Sequence, residues 1–409
     1  MTKYVIFFLC GSLIWWGCNV KKKQNTFKKT NSFKSYSYDR DFLKKYDSVI
    51  ELRNGSSGIL IAPQYEGRVM TSTCAGDSGY SFGWINYDLI QSKKITEHMN
   101  AYGGEERLWL APEGGQFSFF FKKGVPYDFD HWFTPKEFDT EPFQTNEQSD
   151  ISAIFTKDMI LTNRSENVFS IHIDRKISLL DPKTIDKNLG IDIDSEVNAV
   201  AYESSNTITN SGKNTWTKET GAPAIWLLGQ LKPSPQTTIV LPLKNILDTP
   251  SVHDTYFGPI PADRWKINGN NAFLKADGKF RSKVGIPPQH VTNFIGSYDA
   301  GANLLTLVET DLPRPGYQFV NSLWEEQKDP YSGDAFNAYN DGLLKDGSQL
   351  GPFYELESLS PAAFLAPQQS LTHTQITYHL QGDKNRLNAI AEKELGVGLD
   401  EIKNVFEKN

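Results

Sequence analysis

The segment FYELES, residues 353–358, sets Glu355 and Glu357 two positions apart. In a strand this spacing sends both carboxylates, with Phe353, to one face, and Tyr354 and Leu356 to the other. Two carboxylates facing one cleft repel, so one of them holds its proton more tightly. Such a pair suits general acid and base work, or hydrogen bonding to sugar hydroxyls. Alternation alone leaves open whether the face lines a cleft or meets bulk water, where the pair is ordinary surface charge.

Further upstream, EERLWLAPEGGQFSFFF (105–121) places Arg107, Trp109 and Glu113 on what is expected to be one sheet face. An indole stacks on the C–H faces of a sugar while guanidinium and carboxylate bind its hydroxyls. A core tryptophan with a structural ion pair would use the same residues. DPYSGDAFNAYNDG (329–342) reads as a loop that gathers Asn337, Asn340 and Asp341 around aromatic residues. Loops often carry function, though a plain turn-rich surface loop has this composition too. Its acidic residues lack the spacing of an EF-hand calcium loop. The stretch 201–231 reads as hairpin-rich and adds Asn206 and Trp226 as candidate sugar contacts.

The seven histidines are scattered, and the chain holds no HExxH, GxSxG, P-loop or dinucleotide fingerprint in a fitting context. The expectation is therefore no metal and no cofactor. The net charge of −7 argues against a nucleic-acid partner.

Short alternating segments rich in β-branched and aromatic residues must position these side chains. They include 58–63, 107–112, 116–121, 152–156, 159–163, 169–180, 199–210, 224–231, 237–243, 303–310, 353–358 and 372–380. Turn signals such as Asn54-Gly55, Asn268-Gly269 and Asp277-Gly278 separate them. Helical patterns are few: one at Asp41 to Leu52, and two short amphipathic helices in LNAIAEKELGVGLDEIKNVFE. So many strands without an internal repeat predict one large all-β sandwich rather than a propeller or solenoid.

The chain opens MTKYVIFFLCGSLIWWGCNVKKKQ. A basic residue, a short apolar run and Gly17-Cys18 have the order of a bacterial lipoprotein signal, with Cys18 as the lipidated residue. Two or more acyl chains there would hold the protein on a membrane. The expected organisation is a signal at 1–17, a flexible tether at 18–40, a β domain at 41–386 and C-terminal helices at 387–409. With Cys10 removed and Cys18 lipidated, Cys74 stands alone, which excludes an intrachain disulfide.

In this order, RLWLAPEGGQFSFFF, SSNTITNSG, YNDG and FYELESLSPAAFLAPQQSLTHTQITYHL resemble a family of Bacteroidota lipoproteins related to the galactose mutarotase (aldose 1-epimerase) superfamily. The resemblance covers nearly the whole mature chain and is weakest at about 245–300. It implies a galactose mutarotase-like β-supersandwich with a short C-terminal helical segment. It also implies that Glu355 or Glu357 occupies the place of the base that takes the anomeric proton. The pattern departs where the ring-opening histidine would stand, since AIWLLGQL carries Trp226 there. Loss of a general acid removes a factor of roughly a hundred or more.

Three functions follow as expectations. The first is a saccharide-binding lipoprotein of the outer membrane, accessory to polysaccharide or oligosaccharide utilisation. The second is a carbohydrate-active enzyme, an epimerase or an acid–base hydrolase or lyase, with Glu355 or Glu357 as base. The third is a structural envelope lipoprotein. The sequence leaves open whether the chain is an enzyme.

Overall fold

A computed structural model describes residues 34–191, 196–244, 252–344 and 347–407. The expected signal, Cys18 and most of the expected tether lie outside the described residues. Among the described residues no helix is long and apolar enough to cross a membrane.

Two antiparallel sheets dominate. The eight-stranded sheet runs, in spatial order, β1 (Ile50–Asn54), β2 (Ser57–Ala62), β3 (Arg68–Thr73), β4 (Gly104–Ala111), β9 (Ala224–Gln230), β17 (Tyr354–Leu359), β16 (Phe336–Asn340) and β13 (Ser282–Ile286). The ten-stranded sheet runs β11 (Trp265–Asn268), β12 (Asn271–Lys275), β10 (Thr237–Pro242), β14 (Phe294–Asp299), β15 (Leu304–Thr310), β18 (Ser370–Gly382), β8 (Val197–Asn210), β7 (Val168–Leu179), β6 (Ser152–Thr162) and β5 (Gln144–Gln148). This is the large all-β sandwich that the alternating segments predict.

Apolar side chains from both sheets, among them Leu108, Leu227, Leu356, Ile173 and Ile208, form the main core. Polar pairs are buried as well. Arg175 donates to Glu106 at 2.9 Å and to Asn206 at 2.6 Å, and His379 lies 2.9 Å from Glu105. A buried pair of this kind tolerates the loss of one partner poorly, because the other charge is then left without compensation.

Helices cover the outer faces. The C-terminal helices Lys384–Glu394 and Leu399–Asn404 pack Leu387, Ile390 and Ile402 against Leu305, Leu307 and Tyr378 of the ten-stranded sheet. At the other end of the chain, α1 (Tyr36–Tyr46) packs Tyr36 and Leu43 against Leu60 and Met70, on the outer side of β2 and β3. This cover stops short of β4, so the outer face of the next five strands is left to loops.

Several expectations need correction. The helix expected at Asp41 to Leu52 starts earlier and ends earlier, because Ser35 caps it by accepting from the Tyr38 amide and the chain extends at Asp47. Residues 36–40, expected in the tether, are therefore its first turns, with Tyr36 and Asp39 buried. QFSFFF is a loop: Gly115 takes φ +77°, and the Ser118 hydroxyl accepts from the Phe120 amide at 2.9 Å. Its Phe119, Phe120 and Phe121 are all buried, without alternation. The expected loop at 329–342 contains β16, a strand inside the sheet. The expected hairpins at 201–231 are instead a crossing from β8 in one sheet to β9 in the other.

Candidate functional site

Five neighbouring strands lay their outward residues side by side. Arg107 of β4 stands opposite Leu228 of β9, and Leu228 stands opposite Glu357 of β17. Trp109 stands opposite Trp226. On the other side, Tyr339 of β16 is opposite Glu355, and Lys283 of β13 is opposite Tyr339. Alternation by two thus brings two carboxylates, two cations, two indoles and a phenol to one face.

Each carboxylate is held by a cation that reaches across an intervening strand. Arg107 Nη2 donates to Glu355 Oε1 at 2.8 Å, passing over β9. Lys283 Nζ donates to Glu357 Oε2 at 3.1 Å, passing over β16 from the opposite side. Trp226 Nε1 donates to the same oxygen at 2.9 Å. The Arg107 guanidinium carbon lies 4.1 Å from the Trp109 ring centroid. All of these side chains are buried.

Burial pushes the Glu355 carboxyl up to about 8, against the pull of Arg107 and with the repulsion of Glu357 adding to it. Glu355 therefore exchanges its proton near neutral pH. Burial pulls Lys283 down, but Glu357, Glu113 and Glu355 outweigh it and the ammonium is stabilised. Burial pushes Glu113 up, and Lys283 draws it back.

Loops roof the face with rings. Trp132 and Trp324 stack with centroids 5.8 Å apart, Phe129 stacks on Trp132, and Phe257 stands at the rim. The pocket between roof and floor is narrow, ≈ 60 Å³. At about 10–15 Å³ for one water-sized centre, it holds a handful of waters. Glu357 Oε1, Trp109 Nε1 and Arg107 Nε are buried there without a hydrogen-bond partner. Buried polar atoms are normally paired, so these three leave hydrogen-bonding capacity unmet at the floor.

Of the residues expected from the sequence, the pocket brings together Arg107, Trp109, Glu113, Trp226, Glu355 and Glu357. Glu113 comes from the loop after β4 rather than from the strand, and its amide is held by Ser322 at 3.2 Å. Four others stand elsewhere. Asn206 lies on the other sheet, between Arg175 and Ser204. Asn340 fastens a turn, accepting from the Gly278 amide at 2.9 Å and donating to the Phe280 carbonyl at 2.8 Å. Asp341 accepts from the Tyr339 hydroxyl at 2.6 Å and from the Gly351 amide at 3.0 Å. Asn337 is the cross-strand neighbour of Glu357 but does not line the pocket.

Sequence reasoning missed Lys283, Arg281, Tyr339 and the roof tryptophans. The alternation in SKVGI was the one available signal for Lys283. Nothing local marks Trp132 or Trp324, which join the site only through tertiary contact. Among the described residues no group of three or more His, Cys, Asp or Glu is disposed to hold a metal ion.

Fold and site together define a large β-sandwich with an aromatic, ion-paired pocket on the outer face of one sheet. The chain belongs to a family of unknown function, DUF6786, whose model matches residues 34–406. No significant match is found among curated proteins. Among solved structures it is similar to a protein from Escherichia coli K12 assigned as an aldose 1-epimerase, at 12% identity and TM-score 0.49, over 82% of this chain and 99% of that one. It is also similar to a galactose mutarotase-like protein from Lactobacillus casei, at 11% identity and TM-score 0.48, over 81% and 100% of the two chains. A galactose mutarotase related enzyme from Lactobacillus acidophilus is similar at 8% identity and TM-score 0.45, over 81% and 97%. Likenesses this distant carry no residue role or activity to this chain.

Proposed function

We propose that this domain binds a saccharide in the pocket over Glu355 and Glu357, as part of a lipid-anchored outer-membrane protein that serves polysaccharide or oligosaccharide utilisation. The observation that carries the binding reading is the floor itself. Ion-paired carboxylates beside indoles, with buried donors and acceptors left unpartnered, suit a ligand with many hydroxyls and apolar C–H faces. The narrow pocket suits one sugar residue rather than the middle of a chain. The lipid anchor at Cys18 and the membrane location rest on the order of residues in the signal.

A second reading is acid–base catalysis on the same sugar. It is favoured by Glu355, whose carboxyl burial pushes up to about 8, because a carboxyl raised toward neutral pH can exchange a proton with a bound sugar.

Sugar-dependent thermal stabilisation tests both readings. A ligand at a hundred times its dissociation constant adds about 2.7 kcal/mol. Stabilisation by some sugar, lost in Glu355→Gln and Glu357→Gln, supports the site, and anomer exchange or bond cleavage on that sugar then separates enzyme from binder. No stabilisation across a broad panel of monosaccharides and oligosaccharides would leave the structural envelope protein.

A further inference from the structure

Arg107 and Lys283 are each matched by a glutamate, but a third cation in the pocket is not. Arg281 lines the pocket just before β13, and among the described residues no ion pair involves it. Its orientation is nevertheless fixed. The guanidinium carbon lies 3.8 Å from the centroid of the Phe257 ring, a cation–π contact at the rim. Its Nε donates to the Tyr339 hydroxyl at 3.2 Å. That hydroxyl spends its single proton on Asp341 at 2.6 Å, so toward Arg281 it can only accept. Stacking on one side and the Nε bond on another orient the guanidinium plane and leave its two Nη groups uncommitted. A guanidinium held in this way presents a planar pair of donors that matches a carboxylate or an acidic ester.

We infer that the pocket selects an acidic saccharide, with Arg281 binding the sugar's anionic group at the rim while the floor binds its hydroxyls. This rests on the saccharide reading and adds the class of sugar to it. The charge balance agrees. Arg107 and Lys283 at least match the floor glutamates, one of which holds its proton near neutral pH, so Arg281 brings a surplus positive charge. The remaining carboxyl, Glu113, is pushed by burial toward its neutral form. The exposed Phe257, 41% accessible, carries the guanidinium at the mouth, where an anionic substituent would first arrive.

The test is calorimetric titration of the full chain with matched sugars: glucose and galactose, their uronates, glucose 6-sulfate and glucose 6-phosphate. The wild type is expected to bind at least one acidic sugar about tenfold or more tighter than its neutral parent. The three acidic arms separate carboxylate, sulfate and phosphate as the source of the charge. Arg281→Gln is expected to lose about tenfold to a hundredfold for that sugar, the usual worth of a hydrogen bond to a charged group, and so to erase its preference over the neutral parent. Arg281→Lys keeps the charge without the planar fork and should fall between the two. An unchanged melting midpoint without ligand shows that the variants fold. Equal or tighter binding of the neutral parent by wild type, or an acidic preference that survives Arg281→Gln, overturns the inference while the saccharide site stands. Binding of none of these sugars overturns the inference, and failure across the wider panel overturns the site as well.

Discussion

Arg107 and Glu355 meet at 2.8 Å although their strands, β4 and β17, are not neighbours; β9 lies between them, and Leu228 sits beneath the bridge. The pair is buried on both sides, so its loss has a distinctive signature. Above about pH 8, where Glu355 is ionised, Arg107→Met strands a buried carboxylate and is expected to cost about 3–5 kcal/mol in urea denaturation. Adding Glu355→Leu should restore much of that loss, because two apolar side chains replace the pair. A double variant as unstable as Arg107→Met alone would contradict the geometry.

The raised Glu355 affinity for a proton makes stability depend on pH in a defined window. Its folded value is pushed up to about 8 from an ordinary 4.5. Between those values the native chain holds a proton that the unfolded chain releases, so stability falls as pH rises. The contribution is fully present below about 4.5 and lost through about 8. Relative to Glu355→Gln, the wild type should lose stability steadily across that range, measured by urea titration at several pH values. A flat difference would show an ordinary carboxylate.

His373 predicts the opposite slope. Its Nε2 lies 2.8 Å from the Ser358 hydroxyl, and that hydroxyl donates to Gln375 Oε1 at 2.7 Å. Ser358 can therefore only accept from the imidazole, which places the neutral ring's proton on Nε2. Burial pushes His373 down to about 4 from 6.5. Stability from the neutral ring is present above about 6.5 and lost as pH falls toward 4. His373→Gln should flatten that acid limb of the wild-type curve.

Asn206 and Trp226 separate scaffold from pocket. Asn206→Ala removes the acceptor of a buried Arg175 N–H and should cost about 1–3 kcal/mol of stability, with sugar affinity unchanged. Trp226→Phe keeps a ring in place but removes the donor to Glu357 Oε2, and it should weaken the sugar-dependent melting shift. Equal effects of both variants on sugar binding would place the ligand elsewhere.

The proposed anchor is tested in cells. Cys18→Ala should move the protein from the membrane fraction to the soluble fraction and abolish labelling by a palmitate analogue, since acyl chains supply the membrane affinity. Retention on the membrane with no label would require another attachment.

Part of the site was legible because strand periodicity is local. Glu355 with Glu357, and Arg107 with Trp109, share faces by alternation alone, and all four line the pocket. Where the backbone leaves the ladder, the same logic fails. QFSFFF looks like a strand, yet Gly115 and Ser118 turn it into a loop that buries three successive phenylalanines, Phe119 to Phe121. AFNAYN looks like a loop because of its asparagines, yet it is β16, with Asn340 fastening a turn and only Tyr339 reaching the pocket.

The all-β class and the two-carboxylate face thus belong to the chain's local pattern, since side-chain alternation and turn residues act over a few positions. Which strands lie side by side does not. Lys283 reaches Glu357 from 74 residues away and Arg107 reaches Glu355 from 248 residues away. Those pairings depend on the order β4-β9-β17-β16-β13, which long-range hydrogen bonding and burial select together. The same order decides that Asn206 serves Arg175 inside the sandwich while Trp226, twenty residues later in the chain, serves Glu357 in the pocket.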